Sequence, residues 1–179
     1  MPAGDRKLTM DELGRIAPEA YAEQPRRPVV VLLDDLRSRH NVGSIFRTAD
    51  SFGIERLVLC GFTPRPPHRE IEKTALGATL SVPWSAAADT VWAIHELQDQ
   101  GYTVVAVEQT LSAIPLLTWN PEPDARIALV LGNELHGVSE AAVEACDACV
   151  VIPQGGSKHS LNVSVCAGVV MWWLAGRSL

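Results

Sequence analysis

The 179-residue sequence has few of the features that mark secreted and membrane proteins. Its four cysteines are too few for the disulfide framework of a small secreted domain, so we expect free thiols in a reducing compartment. The longest apolar run, Val163 to Leu174, is interrupted by Ser164 and is too short to span a bilayer. Residues 1–20 contain no apolar segment typical of a secretory signal. We therefore expect a cytoplasmic protein without a membrane partner.

An overall excess of positive charge is also missing. Fifteen Lys and Arg residues stand against 21 Asp and Glu residues, for a formal net charge of -6. This balance argues against a protein that holds nucleic acid by bulk positive charge. The charge is uneven, however, because residues 1–25 carry -2, residues 26–73 carry +3 and residues 74–179 carry -7. A basic segment inside an acidic protein points to an anionic partner.

The length and the apolar content of 47% are those of one globular domain. Short aliphatic runs alternate with segments of helical pattern, which predicts an α/β fold with a mostly parallel sheet flanked by helices. The predicted strands are 29–33, 57–59, 104–107, 127–131 and 150–152, and the predicted helices are about 42–52, 86–99, 139–145 and 160–174. We interpret residues 1–28 as an N-terminal extension and residues 29–179 as the domain.

The first segment with chemical potential follows the first predicted strand and extends from Asp34 to Gly53. Asn41 lies near the start of the next predicted helix, and Arg47 follows six residues later, so the two side chains could face one pocket. Alternatively, Asn41 is only the N-cap of that helix and Arg47 is a solvated side chain. Spacing alone leaves both interpretations open.

A second segment, Gly132-Asn133-Glu134-Leu-His-Gly137, follows the strand predicted at 127–131. Its two glycines allow backbone N–H groups to come close to a ligand, and Ser139 is placed to cap the following helix. An ordinary connection between a strand and a helix would have the same composition. The segment by itself therefore indicates no particular ligand.

A third segment extends from Val151 to Val165, where a strand leads into a glycine-rich loop and a helix capped by Ser160 or Asn162. Its Gly-Gly-Ser-Lys run is similar to a phosphate-binding loop. The G-x-x-x-x-G-K-[ST] spacing is absent, because Lys158 is followed by a histidine. We therefore reject nucleoside triphosphate binding here.

The pair Cys146 and Cys149 has the C-x-x-C spacing of half a zinc site or of a redox pair. The sequence contains neither a second such pair nor an H-x3-5-H spacing. Free cysteines usually pack as small apolar side chains. We therefore predict buried structural thiols and no metal site.

Taken together and in this order, the three segments resemble the motifs of the SpoU (TrmH-type) family of RNA ribose 2′-O-methyltransferases in the SPOUT superfamily. The resemblance covers about residues 29–174, and residues 71–84 are similar to the family's connecting region. It implies an α/β domain with a C-terminal trefoil knot (the SPOUT fold) and an S-adenosyl-L-methionine site in that knot. It also implies a homodimer that completes the active site.

The resemblance assigns roles position by position. The implied catalytic residues are Asn41 and Arg47 of the first segment, Glu134 of the second, and Ser160 and Asn162 of the third. The implied cofactor contacts are Gly132, Asn133, Ile152, Ser160 and Leu161, with Glu108 and Thr110 in a nearby loop. Gln154 departs from the family, which commonly has Met after the Ile-Pro pair.

The function implied is S-adenosylmethionine-dependent methylation of a ribose 2′-hydroxyl of tRNA or rRNA, with tRNA favoured by analogy with compact family members. Because a guanidinium holds its proton tightly, we hypothesise that Arg47 anchors a phosphate and stabilises the developing alkoxide. The alternatives are an RNA-binding or ribosome-assembly factor that keeps the fold without turnover, and a knotted methyltransferase acting on a base. The apolar helix containing Trp172 is predicted to be core or dimer interface.

Overall fold

The structure is a computed structural model that describes residues 5–9, 11–14, 24–158 and 160–177. These residues form seven strands and six helices. The strands are β1 (Arg27–Asp34), β2 (Ile54–Cys60), β3 (Trp84–Ala87), β4 (Thr103–Val107), β5 (Ile114–Pro115), β6 (Ile127–Leu131) and β7 (Ala148–Val151). The helices are α1 (Arg39–Ser51), α2 (Arg69–Ala75), α3 (Ala78–Ser81), α4 (Thr90–Asp99), α5 (Glu140–Ala145) and α6 (Val163–Arg177).

The strands form one sheet in the order β3-β2-β1-β6-β4-β7-β5, and every neighbouring pair is parallel. The predicted parallel sheet is therefore confirmed. All the carboxyl ends share one edge, and the strand order reverses between β1 and β6. In sheets of this kind, ligands bind in the crevice outside the carboxyl ends at such a reversal.

Helices cover both faces of the sheet, as predicted. Val31 and Leu33 of β1 pack on one face with α1, α2 and α6, and Phe46 is the largest fully buried side chain there. Val30 and Leu32 pack on the other face with α4 and α5. Because successive strand residues point to opposite faces, a continuous aliphatic run supplies both cores.

Several boundaries differ from the prediction. The helix predicted at 86–99 is shorter, because Trp84–Ala87 forms the edge strand β3 and Asp89 caps α4 by accepting a hydrogen bond from the Trp92 N–H. Helices α2 and α3 have no counterpart among the predicted elements. Strand β1 begins at Arg27, two residues before its predicted start. The predicted N-terminal extension falls partly outside the described residues.

Helix α6 is the most apolar helix of the described chain. Its Val170 and Met171 are fully buried, whereas the Trp172 side chain is 63% exposed. Trp173 stacks on Trp119 with ring centroids 5.2 Å apart. Within the described ranges, we find no helix that has both the length and the apolar character to cross a membrane.

Candidate active site

A cavity of about 460 Å³ opens at the carboxyl edge of β4, β6 and β7. This volume lies within the roughly 300–1,000 Å³ usual for small-molecule sites. Its apolar lining includes Val107, Leu131, Val150, Ile152, Leu161 and Val163. Its polar lining includes Glu108, Gln109, Asn133, Glu134, Gln154, Ser160 and Asn162. The second and third sequence segments therefore supply most of one cavity.

One chain of hydrogen bonds connects all three segments. Asn41 donates from Nδ2 to Glu134 Oε1 over 2.9 Å, and its Oδ1 accepts from Asn162 Nδ2 over 3.2 Å. These residues are 93 and 121 positions from Asn41 in the sequence. Asn41 is not the N-cap of α1, because Ser38 holds that position and its side chain accepts from the Asn41 N–H. The N-cap alternative for Asn41 is therefore wrong.

Both carboxylate oxygens of Glu134 accept hydrogen bonds from the backbone just before α1. Its Oε2 accepts from the Arg37 N–H over 2.9 Å, and its Oε1 accepts from the Ser38 N–H over 2.9 Å. Partial burial by itself would raise the pKa of Glu134. The hydrogen bonds from Arg37, Asn41 and Ser38 outweigh burial and lower this pKa below the ordinary value of a glutamate carboxyl. Glu134 therefore holds α1 against the loop after β6 as a carboxylate.

The role of Glu134 predicts a pH-dependent stability difference. Glu134→Gln replaces one accepting oxygen by an amide NH₂ that faces an N–H donor, so we expect a loss of about 1–2 kcal/mol at pH 7. Because the pKa is lowered in the folded state, the stabilisation is present above the unfolded pKa and is lost as pH falls through the folded one. Denaturant unfolding at several pH values should therefore show the two proteins converging below about pH 4.

The exposed Glu144, on α5, provides a matched control for this measurement. Glu144→Gln makes the same chemical change away from the cavity and should leave stability within about 0.5 kcal/mol of wild type. Equal stability of Glu134→Gln and wild type at pH 7 would contradict the proposed role of the carboxylate.

The loop after β6 is compact and has little room for side chains. Asn133 and Gly137 exchange two backbone hydrogen bonds of 2.9 and 2.8 Å. Glu108 accepts from the Val138 N–H over 2.9 Å and so ties this loop to the end of β4. A Cβ atom on Gly132 would lie 2.0 Å from both Gly137 C and Val138 N. Only glycine fits at position 132.

Asn133 holds the same loop to the first segment. It is buried, with 8% of its surface exposed, and its Nδ2 donates to the backbone oxygen of Asp35. Its Oδ1 accepts from the N–H groups of Leu135 and His136. The Asn133 side chain thus shapes the cavity wall.

Asn162 organises the third segment. Its Oδ1 accepts from the N–H groups of Ser164 and Val165, so Asn162, not Ser160, is the residue that caps α6. The helix consequently begins at Val163, three residues after its predicted start. Ser160 and Leu161, which precede this cap, line the cavity together with Ile152 of the same segment.

Residues 28–172 match the SpoU rRNA Methylase family. The chain belongs to this family. It is 32% identical over 167 residues to a Staphylococcus aureus (strain MSSA476) protein named "Putative TrmH family tRNA/rRNA methyltransferase". That alignment covers 88% of the present chain and 66% of the relative, so the chain spans just under two thirds of that protein's length.

Solved structures of the SpoU family share the fold. The structure described as "A. aeolicus TrmH/SpoU tRNA modifying enzyme" has a TM-score of 0.77 at 27% identity, covering 88% of this chain and 78% of that one. The "AdoMet bound rRNA methyltransferase from Sinorhizobium meliloti" has a TM-score of 0.78 at 26% identity, covering 90% and 60%. The family predicted from the three segments and its α/β architecture are confirmed. The trefoil knot stays a prediction.

Three residues that the SpoU resemblance assigns to the site, Asn41, Arg47 and Thr110, do not line the cavity. Arg47 lies exposed on α1, nearly two turns beyond Asn41. Thr110 follows the lining residues Glu108 and Gln109, and its hydroxyl is buried without a hydrogen-bond partner in the described structure. Asn41 reaches the cavity wall only through Glu134 and Asn162.

The sequence interpretation missed several residues that shape the SpoU site. Gln109 and His136 line the cavity, and the backbone N–H groups of Arg37 and Ser38 hold Glu134. Asp34 is buried and accepts from the Thr90 hydroxyl and the Ser139 N–H. Its only sequence signal is its position directly after an aliphatic strand.

All four cysteines are free thiols; Cys60 is buried as predicted, whereas Cys146, Cys149 and Cys166 are only half-buried. Burial, reinforced by Cys149 and two nearby aspartates, raises the pKa of Cys146 to about 12. Burial also raises the pKa of Cys60 to about 12 and that of Cys166 to about 11. These thiols are therefore protonated at neutral pH. Over the ranges that the structure describes, no three His, Cys, Asp or Glu side chains converge in a way that could hold a metal ion.

Proposed function

We propose that this chain is an S-adenosyl-L-methionine-dependent methyltransferase that modifies a ribose 2′-hydroxyl of tRNA or rRNA, with tRNA favoured. The observation that carries the proposal is the hydrogen-bonded connection of Asn41, Glu134 and Asn162 at one cavity. Three distant polar segments are brought together there, at the edge of the sheet where parallel α/β folds bind ligands. The S. meliloti structure is described as AdoMet bound, which supports the same cofactor here.

The residues of the cavity fit this cofactor. The apolar side chains of Leu131, Ile152 and Leu161 suit the adenine ring, and the compact loop at Gly132 brings backbone groups to the cavity surface. The Thr110 hydroxyl, which follows the lining residue Gln109 in the chain, is buried and has no hydrogen-bond partner among the described residues, so it is left to bond a polar group of the ligand. We assign the cofactor contacts to Gly132, Asn133, Ile152, Ser160 and Leu161, with Glu108 and Thr110 in the adjoining loop.

S-Adenosylmethionine supplies a methyl group on a sulfonium, and transfer requires the ribose oxygen to approach in line with the S–CH₃ bond. The chain contributes by orientation, because an aligned approach removes much of the entropic barrier. Glu134, Ser160 and Asn162 line the cavity wall near which the ribose is positioned, and Asn41 holds Glu134 and Asn162 in place by hydrogen bonds. Arg47 binds an RNA phosphate and stabilises negative charge as the 2′-hydroxyl gives up its proton to water, while loss of the methyl group leaves the sulfonium as a neutral thioether.

A homodimer would complete this site. Arg47 lies outside the cavity of its own subunit, and α6 exposes the apolar side chains of Val165 (52%) and Trp172 (63%). A second copy packed on α6 would cover these side chains and could bring its Arg47 to the cavity. We propose residues 29–179 as the methyltransferase domain, residues 1–28 as an extension, and the cytoplasm, where tRNA and rRNA are found, as the location.

The test is transfer of labelled methyl groups to total tRNA and, separately, to total rRNA, both prepared from cells that lack this protein. We expect label in one of the two pools. After alkaline hydrolysis the label should remain in a dinucleotide, because a 2′-O-methyl group blocks cleavage of the adjacent phosphodiester. Label in a mononucleotide would indicate base methylation instead. No transfer to either pool, with cofactor binding intact, would favour the non-catalytic RNA-binding or ribosome-assembly factor.

A further inference from the structure

A second cavity, of about 620 Å³, lies between the start of α1 and helix α2. It is lined by Arg39, His40, His68, Arg69, Glu70 and Lys73, which we call the basic pocket. We propose that the basic pocket binds a backbone phosphate of the RNA substrate, next to the nucleotide that is methylated. This inference rests on the proposed function, because it takes the substrate to be RNA.

The charge of the basic pocket favours an anion. It contains three permanent cations and one carboxylate, a formal charge of +2 with both histidines neutral, in a chain whose net charge is -6. Glu70 pairs with Arg39 at 3.4 Å, and both side chains are 48% exposed. Arg69 and Lys73 are exposed and belong to no ion pair in the described part of the chain. They are four residues apart on α2 and therefore project from the same face.

The fold holds the two sides of the basic pocket at a fixed separation. Helix α2 packs so closely on α1 that a Cβ atom on Gly43 would lie 2.1 Å from Thr74 Oγ1 and 2.3 Å from Ile71 O. Thr74 Oγ1 also donates to the backbone oxygen of His40 over 3.1 Å. Ile71 is fully buried between the helices and the sheet. The cations therefore project from two packed helices, which pre-organises them for one ligand.

His68 is also oriented before any ligand arrives. Its Nδ1 accepts from the Glu70 N–H over 3.2 Å, which leaves Nε2 as the ring nitrogen that can donate a hydrogen bond. Phosphate oxygens accept hydrogen bonds from arginine, lysine and histidine donors. The basic pocket thus offers several donors to one phosphate group.

The position of the basic pocket points to the RNA substrate and not to an unrelated anion. Arg39 and His40 directly precede Asn41, which bonds to Glu134 and Asn162 at the methyl-transfer cavity. At about 1.5 Å of rise per residue, these positions are within about one turn of α1. A phosphate held there would be close to the target ribose along the same strand. Phosphate contacts of this kind fix the register of a protein on nucleic acid.

The test compares RNA binding of four variants over a range of salt concentrations, with total tRNA and total rRNA from cells lacking the protein as probes. Arg69→Gln and Lys73→Gln should each weaken binding about fivefold and lower the slope of log K against log salt by about 1. Glu70→Gln removes the only carboxylate of the basic pocket and should strengthen binding about twofold. Arg65→Gln is the control, because Arg65 is an exposed cation of the same basic segment outside the basic pocket.

The outcomes separate this inference from the proposed function. The basic pocket is not a phosphate site if all four variants keep the wild-type affinity and salt slope. The same conclusion follows if Arg65→Gln weakens RNA binding as much as Arg69→Gln does. Both conclusions hold even where methyl transfer is observed. If the wild-type protein binds RNA without methylating it, and the RNA affinities of the variants follow the expected order, the phosphate-binding role of the basic pocket is supported and the enzyme proposal fails. Melting temperatures equal to wild type confirm that each variant is folded.

Discussion

Arg47→Lys is expected to lower the rate of methyl transfer by at least about a hundredfold, while the affinity for S-adenosylmethionine stays that of wild type. Lysine keeps the charge but loses the planar fork that binds two phosphate oxygens at once. Arg47 is exposed and does not line the cofactor cavity, so its replacement leaves that cavity unchanged. Single-turnover methyl transfer and equilibrium cofactor binding measure the two quantities separately. If Arg47→Lys transfers methyl groups at the wild-type rate, the planar guanidinium of Arg47 is not needed to bind two phosphate oxygens.

A mixing experiment shows whether Arg47 acts on its own subunit or on a partner's. Arg47→Lys is co-expressed with Asn162→Ala, which removes the α6 cap and the bond to Asn41. If Arg47 serves the cavity of a second copy, random heterodimers should restore about a quarter of wild-type sites, since half of the dimers then hold one complete site. If the mixture recovers no methyl-transfer activity, Arg47 acts at the cavity of its own subunit. Arg65→Lys is the matched control and should retain full activity.

The sheet could be predicted because its strands have the simplest sequence signal. A strand buried on both faces must be aliphatic throughout, so the run at Ile127–Leu131 marked β6 with both ends correct. Edge strands lack this constraint. In β3, Ser85 and Ala86 are exposed, and residues 86–87 of this strand fall within the helix predicted at 86–99. Helix α2 has seven residues, too few to show a clear helical period.

The members of the candidate site could be identified one by one, but not their connections. Asn41 and Glu134 are each recognisable after a strand, yet their contact depends on β1 and β6 being neighbours in the sheet. Local pattern cannot supply a pairing across 93 residues. The basic pocket could not be predicted from local pattern either, because Arg39 and Arg69 come together only through the packing of α2 on Gly43. The uneven charge of residues 26–73 was its only sequence signal.

Gly132→Ala is expected to lower the free energy of unfolding by about 2–3 kcal/mol and to abolish cofactor binding. The added Cβ would overlap the backbone of Gly137 and Val138, and backbone atoms cannot turn aside as the end of a flexible side chain can. The loop must move outward, which breaks the bond between the Val138 N–H and Glu108 and opens the cavity wall. For a chain of this size, the melting temperature should fall by roughly 4–12 °C.

Gly176→Ala is the matched control, because a Cβ on Gly176 in α6 would meet no described atom within 4 Å beyond its chain neighbours and the backbone of its own helix. Alanine is also the better helix former, so this variant should melt at the wild-type temperature or slightly above it. Calorimetric cofactor titration of both variants completes the comparison. If Gly132→Ala has the melting temperature and the cofactor affinity of wild type, the loop after β6 accommodates the added Cβ. The close packing of this loop is then not required for the cofactor site. If Gly132→Ala loses cofactor binding and Gly176→Ala keeps it, the close approach of the loop backbone to the cofactor is required for the site.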